Sequence, residues 1–81
     1  MFISAQVSIY PLRQSYFSPT IEKATETFRK HGLTVDVGTM STIVSGEDKA
    51  VFEALREAFM DIAEKGALVM MVTFSNTCPV G

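Results

Sequence analysis

The chain is short, weakly acidic and rich in apolar residues. It has 81 residues, a net charge of −2 and 47% hydrophobic residues, so we expect a single domain over residues 1–81. The absence of a Lys/Arg cluster excludes the basic face that is typical of nucleic-acid-binding proteins. One cysteine, Cys78, and one histidine, His31, exclude a disulfide framework and the usual zinc clusters.

The sequence also lacks a membrane signal. Its longest apolar run, residues 67–72, is far shorter than the ~20 residues that a membrane-spanning helix needs. The N-terminal segment lacks the basic start and the long apolar stretch of a signal peptide. We therefore expect a cytoplasmic protein with no membrane insertion and no nucleic-acid partner.

The first half of the chain predicts a strand, a helix and a second strand. Residues 2–10 alternate between apolar and mixed side chains, as a half-buried strand does. Ser18 and Pro19 are typical of a helix start, and apolar residues at helical spacing follow up to Gly32, which is typical of a helix end. Residues 33–37 then predict a short second strand.

The second half predicts a strand, a long helix and a last strand. The third strand covers residues 40–45 and ends at Gly46, the helix runs from Glu47 to Lys65, and the last strand covers residues 67–74. The apolar stripe predicted for this helix consists of Val51, Ala54, Leu55, Ala58, Phe59 and Ile62. The order βαββαβ predicts the ferredoxin-like fold, an α+β sandwich with a four-stranded antiparallel sheet, central first and third strands, and two helices on one face.

The last strand is apolar on both of its sides. Helices cover only one face of such a sheet, so either Val69 and Met71 or the alternate set would be exposed, and each exposed side chain forgoes roughly 1.5–3 kcal/mol of burial. Residues 67–77 also carry no charge that would protect an edge strand. The strand could dip under its own tail, but we expect a homodimer or homotetramer joined through the sheets.

The same open face would carry small polar side chains from the other strands. Buried polar groups need hydrogen-bond partners, so these side chains either pair across a subunit interface or contact a small molecule. Ser41 and Thr42 are successive strand residues and should point to opposite faces. The sequence leaves open which of the two faces a ligand.

Three segments of the sequence resemble the YkoF-like thiamine-binding protein family. They are VSIYP at residues 7–11, STIVSG at residues 41–46 and TFSNTCP at residues 73–79, and their order within a βαββαβ layout extends the resemblance over nearly the whole chain. The resemblance implies a small ferredoxin-like protein whose subunits join through their sheets. It also implies that thiamine, or its hydroxymethylpyrimidine part, is held at those sheets.

The residue chemistry suits such a ligand. An aminopyrimidine offers a ring-nitrogen acceptor and an amine donor, which hydroxyl, amide and carboxylate groups bind well, and its flat ring stacks on aromatic side chains. The predicted ligand-binding residues are Gln6, Ser8, Tyr10, Asp36, Ser41 and Thr42. No basic cradle for a pyrophosphate is present, so we expect unphosphorylated thiamine or its pyrimidine, with no metal and no other cofactor.

The sequence gives little support to an enzyme. It shows no paired histidine and carboxylate at useful spacing, no Gly-rich phosphate loop and no metal-ligand set. We expect a small-molecule binding protein that serves thiamine salvage or transport. The alternative is an ACT-like regulatory or structural interaction module, which would have a partner protein and no affinity for pyrimidines.

Overall fold

The computed structural model describes residues 1–12 and 18–77, and it contains six elements in the order βαββαβ. These are β1 (Phe2–Pro11), α1 (Ser18–Lys30), β2 (Thr34–Val37), β3 (Thr42–Glu47), α2 (Asp48–Ala63) and β4 (Leu68–Ser75). The predicted α+β ferredoxin-like fold is confirmed. Neither α1 nor α2, the helices of the described residues, is long and apolar enough to cross a membrane.

The four strands form one antiparallel sheet in the order β2-β3-β1-β4. Val7 in the middle of β1 lies opposite Thr42 of β3 on one side and opposite Val72 of β4 on the other. The predicted central positions of the first and third strands are therefore confirmed. β2 and β4 form the two edges.

The core lies between the helices and one face of the sheet. β1 buries Ile3, Ala5 and Val7 on this face, because alternate strand residues point to the same side. The buried residues of α2 are Val51, Ala54, Leu55, Ala58 and Ile62. Phe59, which the sequence predicted to belong to this stripe, is 38% exposed, because it lies on the flank of the helix rather than at the centre of its buried face.

β3 begins and ends two residues later than the sequence predicted. Met40 is not in the strand, because Gly38 donates its backbone N–H to the Ser41 carbonyl at 2.8 Å and closes a short hairpin loop around it. At the other end Gly46 continues the strand opposite Ile3.

Gly46 acts as a packing position rather than a strand terminator. A Cβ atom there would lie 2.6 Å from Leu33 Cδ2, so the missing side chain makes room for a buried leucine.

The second helix ends two residues earlier than the sequence predicted. α2 ends at Ala63, and Lys65 donates its backbone N–H to the Ile62 carbonyl in a tighter final turn.

A three-residue charge cluster joins the end of α1 to the middle of α2. Lys30 Nζ pairs with one carboxylate oxygen of Glu57, and His31 Nε2 lies 3.1 Å from the other. The hydrogen bond from Lys30, followed by that from His31, lowers the pKa of Glu57. The same hydrogen bond raises the pKa of Lys30.

Replacing Glu57 by Gln should make the protein less stable at neutral pH, with a difference that shrinks in acid. A carboxylate whose pKa is lowered on folding contributes stability above its ordinary pKa and loses it as the pH falls through the lowered value. Lys30 adds a contribution that is lost as the pH rises through its raised pKa. Urea denaturation across the pH range measures both effects.

The matched control is Glu53→Gln, one turn earlier on the exposed side of α2. It should leave the pH profile of the wild-type chain nearly unchanged. An equal acid-dependent loss in both variants would contradict a specific role for the Glu57 cluster.

Candidate functional site

A cavity of about 200 Å³ lies between α1 and the hairpin that joins β2 to β3, at the end of β1. Residues of α1, including Phe28, form one wall, and Val7 and Ile9 of the sheet form another. The hairpin loop closes the third side. The cavity therefore depends on three elements that are separated in the sequence.

Four of the six predicted ligand-binding residues line this cavity, namely Ser8, Tyr10, Ser41 and Thr42. Gln6 is adjacent to it, because its Nε2 atom donates a hydrogen bond to Ser41 Oγ at 3.2 Å. Asp36 lies apart on the exposed edge strand, opposite Ile43. The structure thus brings five of the predicted residues close together and leaves Asp36 outside; ligand contact for all six stays a prediction.

Ser41 and Thr42 point to opposite faces of the sheet, as the strand geometry requires. Thr42 lies opposite Val7 on the helix-covered face and is 9% exposed. Ser41 is reached by Gln6 from the open face. The sequence left open which of the two residues lies on which face, and both of them line the cavity, because it reaches the sheet where β3 begins.

The hydroxyl group of Thr42 is the most informative polar group of the cavity. Across residues 1–12 and 18–77 it has no hydrogen-bond partner, whereas the neighbouring Thr25 donates to the Ile21 carbonyl at 2.9 Å. An unsatisfied buried hydroxyl costs about 1–3 kcal/mol. A ligand that hydrogen-bonds to Thr42 would remove this cost.

The α1 wall was not predicted as part of the site. Thr25 and Phe28 lie on the buried side of α1, and both residues also line the cavity. The sequence feature that could have indicated this wall is the hydroxyl group of Thr25, which lies among the apolar residues of the same helix face.

The described lining carries no charged side chain. Apolar walls with a few hydroxyl groups suit an uncharged planar ring, which can pack against Tyr10 or Phe28. The lining residues that the structure describes therefore include no lysine or arginine that could neutralise a phosphate group.

The open face of the sheet lies beside the cavity and is partly apolar. Its exposed large apolar side chains are Phe2, Tyr10, Ile43, Val69 and Met71, of which Met71 is 61% exposed. Small polar groups lie among them, and Ser4 Oγ and Ser45 Oγ are hydrogen-bonded at 2.9 Å. The exposure of Val69 and Met71 agrees with the sequence prediction that one apolar set of β4 would stay outside the core.

The model of the YKOF-related Family matches residues 2–81. The chain belongs to this family. The resemblance seen in the three sequence segments is confirmed, although the last of them extends to residue 79, beyond the described residues.

A curated relative is the UPF0045 protein MJ1052 of Methanocaldococcus jannaschii, which is 35% identical over 57 residues. The match covers 69% of this chain and 57% of that protein, so the chain spans little more than half of the relative's length. A crystal structure of the hypothetical protein MJ1052 aligns with 99% of this chain and 84% of its own, with a TM-score of 0.86 and 26% identity.

A more distant solved structure comes from Thermotoga maritima and carries the name "putative thiamine biosynthesis/salvage protein". It is 16% identical, with a TM-score of 0.81 over 95% of this chain and 85% of that one. Protein SP2199 of Streptococcus pneumoniae is 19% identical, with a TM-score of 0.84 over 95% of this chain and 88% of that one. At these identities both structures support the fold alone.

Replacing Gly38 by Ala should distort the cavity. The added Cβ atom would lie 2.9 Å from the Ser41 carbonyl oxygen, a backbone atom that can move only if the hairpin opens. Overpacking of this kind costs about 1–3 kcal/mol, which urea denaturation would detect. Thr39→Ala, in the same exposed loop, adds no atom and should cost little; equal losses in both variants would contradict the steric explanation.

Proposed function

We propose that this protein binds thiamine or its hydroxymethylpyrimidine moiety, and that it serves salvage or transport of the vitamin in the cytoplasm rather than catalysis. The observation that carries the proposal is the nearly buried Thr42 hydroxyl, which has no hydrogen-bond partner among the described residues, in a cavity whose described lining is uncharged and includes Ser8, Tyr10 and Ser41. Membership of the YKOF-related Family supports it. The name of the Thermotoga maritima structure points to the same chemistry.

The cavity volume favours the pyrimidine ring as the part that enters. A dry cavity of about 150 Å³ is large enough to hold benzene, so a volume of about 200 Å³ accommodates one substituted six-membered ring. Pockets for larger ligands begin near 300 Å³. The thiazolium ring of whole thiamine would therefore extend beyond the cavity, toward the open face where Gln6 lies.

The hydrogen-bonding groups match the edges of an aminopyrimidine. The hydroxyl group of Thr42 can accept from the exocyclic amine or donate to a ring nitrogen. Ser41 and Gln6 form a polar pair at the open side of the cavity. Since none of the described lining residues is cationic, we expect the diphosphate form of the vitamin to bind more weakly.

Calorimetric titration with hydroxymethylpyrimidine, thiamine and thiamine diphosphate tests the proposal. We expect the first two to bind, and we expect Thr42→Val to weaken binding by roughly 0.5–1.5 kcal/mol, about two- to tenfold in Kd. The matched control is Thr27→Val, because Thr27 is equally buried, bonds to the Lys23 carbonyl and lies outside the cavity. No binding of any compound, or equal effects of the two substitutions, would contradict the proposal and favour an interaction module.

We further propose that a second subunit covers the open face, so that the ligand is held beside a subunit interface. Among residues 1–12 and 18–77, five large apolar side chains are exposed there, and an exposed apolar patch of this kind marks an interaction surface in many proteins. A chain of this size also gains little stability from its own core. A sheet packed against this face would bury these side chains and bring Ser8 and Gln6 near the contact.

Replacing Ile43 by Asp should weaken this association, because it places a charge within the proposed apolar contact. Met60→Asp, on the exposed side of α2, is the control and should leave the association unchanged. Sedimentation velocity at micromolar concentration measures both. Single chains in the wild-type protein would contradict the proposed assembly.

A further inference from the structure

Met40 lies at the edge of the cavity but remains in water. It is one of the residues that line the cavity, yet it is 87% exposed, the largest exposed fraction of any large apolar residue in the described ranges 1–12 and 18–77. A single exposed apolar residue is common in soluble proteins. This one borders a cavity whose described walls are mostly apolar, so its burial there would be favourable.

The hairpin holds the backbone on both sides of Met40. Gly38 donates its N–H to the Ser41 carbonyl at 2.8 Å, and Thr39 and Met40 form the loop between them. The side chain of methionine is unbranched and has three rotatable bonds, and exposed side chains change rotamer within picoseconds to nanoseconds. Met40 can therefore turn toward the cavity by side-chain rotation alone, while the hairpin stays closed.

The hairpin side of the cavity offers one long apolar side chain. The lining residues of the hairpin loop and the start of β3 are Gly38, Thr39, Met40, Ser41 and Thr42, and all of them except Met40 are small or polar. The other walls already provide apolar contacts through Phe28 and Val7. Ligand pockets bury roughly 70–90% of the ligand surface, so a ring in this cavity would gain from apolar cover on the hairpin side.

We propose that Met40 is a further ligand-binding residue, whose side chain folds over the pyrimidine ring when the ring occupies the cavity. The inference rests on the proposed function. The ring then lies between Met40 and the apolar wall that includes Phe28. A thioether makes favourable contacts with an aromatic ring at about 5 Å, and burial of the side chain stabilises the complex without stabilising the free protein.

Oxidation of Met40 should weaken ligand binding. Hydrogen peroxide transfers one oxygen atom to the thioether sulfur: the O–O bond breaks, an electron pair of the sulfur forms the S–O bond, and the other oxygen atom leaves as water. The resulting sulfoxide is polar. It therefore cannot provide the apolar cover that the thioether gives to the ring.

Substitution of Met40 tests the contact directly by calorimetric titration with hydroxymethylpyrimidine. We expect Met40→Ala to raise Kd roughly three- to tenfold, because about half of the side chain would otherwise leave water on binding. Met40→Leu, which restores an apolar side chain of similar size, should retain most of the affinity. Neither variant should change the urea midpoint, because Met40 is exposed in the free chain.

The matched control is Met60→Ala, because Met60 is 49% exposed on α2 and lies outside the described cavity lining. It should leave Kd unchanged. An equal rise in Kd for Met40→Ala and Met60→Ala, or a loss of stability in Met40→Ala that accounts for its weaker binding, would overturn the proposal.

Ligand protection against hydrogen peroxide provides an independent test. Peptide mass spectrometry after mild treatment should show faster oxidation of Met40 than of Met60 in the free chain, because Met40 is more exposed. Saturating hydroxymethylpyrimidine should slow the oxidation of Met40 several-fold and leave that of Met60 unchanged. After the same treatment, the Met40→Leu variant should lose less affinity than the wild-type chain.

The two measurements distinguish a failure of this inference from a failure of the proposed function. If the wild-type chain binds neither hydroxymethylpyrimidine nor thiamine, the proposed function is wrong, and the role of Met40 is wrong with it. If the wild-type chain binds but Met40→Ala has the same Kd, or Met40 is oxidised equally fast with and without ligand, the role of Met40 alone is wrong.

Discussion

Two helices can cover only one face of a four-stranded sheet, and the rest of the structure depends on this constraint. The covered face takes Ile3, Ala5 and Val7 of the central strand into a small core. The other face keeps its alternate residues outside, where Met71 and Ile43 remain exposed. A domain of this size has too little interior to bury both sets, so it presents apolar surface that a second chain can cover.

The cavity lies where the covered face ends. The hairpin turn at Gly38 brings the start of β3 beside α1, and the strand alternation then sends Ser41 and Thr42 to opposite faces. Most of the cavity wall is apolar because it is the margin of the core. The buried hydroxyl group of Thr42, which has no protein partner among the described residues, can bind a polar edge of a planar ligand there.

The site and the outer edge of β4 lie on opposite sides of β1. The cavity is bounded by α1 and the hairpin, whereas the edge lies beside α2 and the stacked rings of Phe52 and Phe74. The open face borders both regions, so the second subunit that we propose would lie close to Gln6 and Ser8 beside the cavity.

Local pattern was sufficient for the elements and for much of the site. Alternation in β1 predicted which residues share a face of the sheet, and three of the predicted ligand-binding residues, Ser8, Tyr10 and Ser41, line one cavity in the structure. Glycine was the main source of error at the strand ends. Gly46 was interpreted as a terminator because a sequence pattern does not show Leu33, which packs in the space that its missing side chain provides.

By itself, the amino-acid sequence determined the order of the elements, the ferredoxin-like topology, the apolar character of both sides of β4 and the residue types available to a ligand. Those properties follow from periodicity and turn chemistry, which act over a few neighbouring residues. Only the tertiary structure decided that Thr42 faces the helices, that Asp36 lies apart from the cavity, and that α1 supplies its wall. These outcomes depend on strand register and on helix packing, which bring together segments that are far apart in the chain. A local sequence pattern therefore does not predict them.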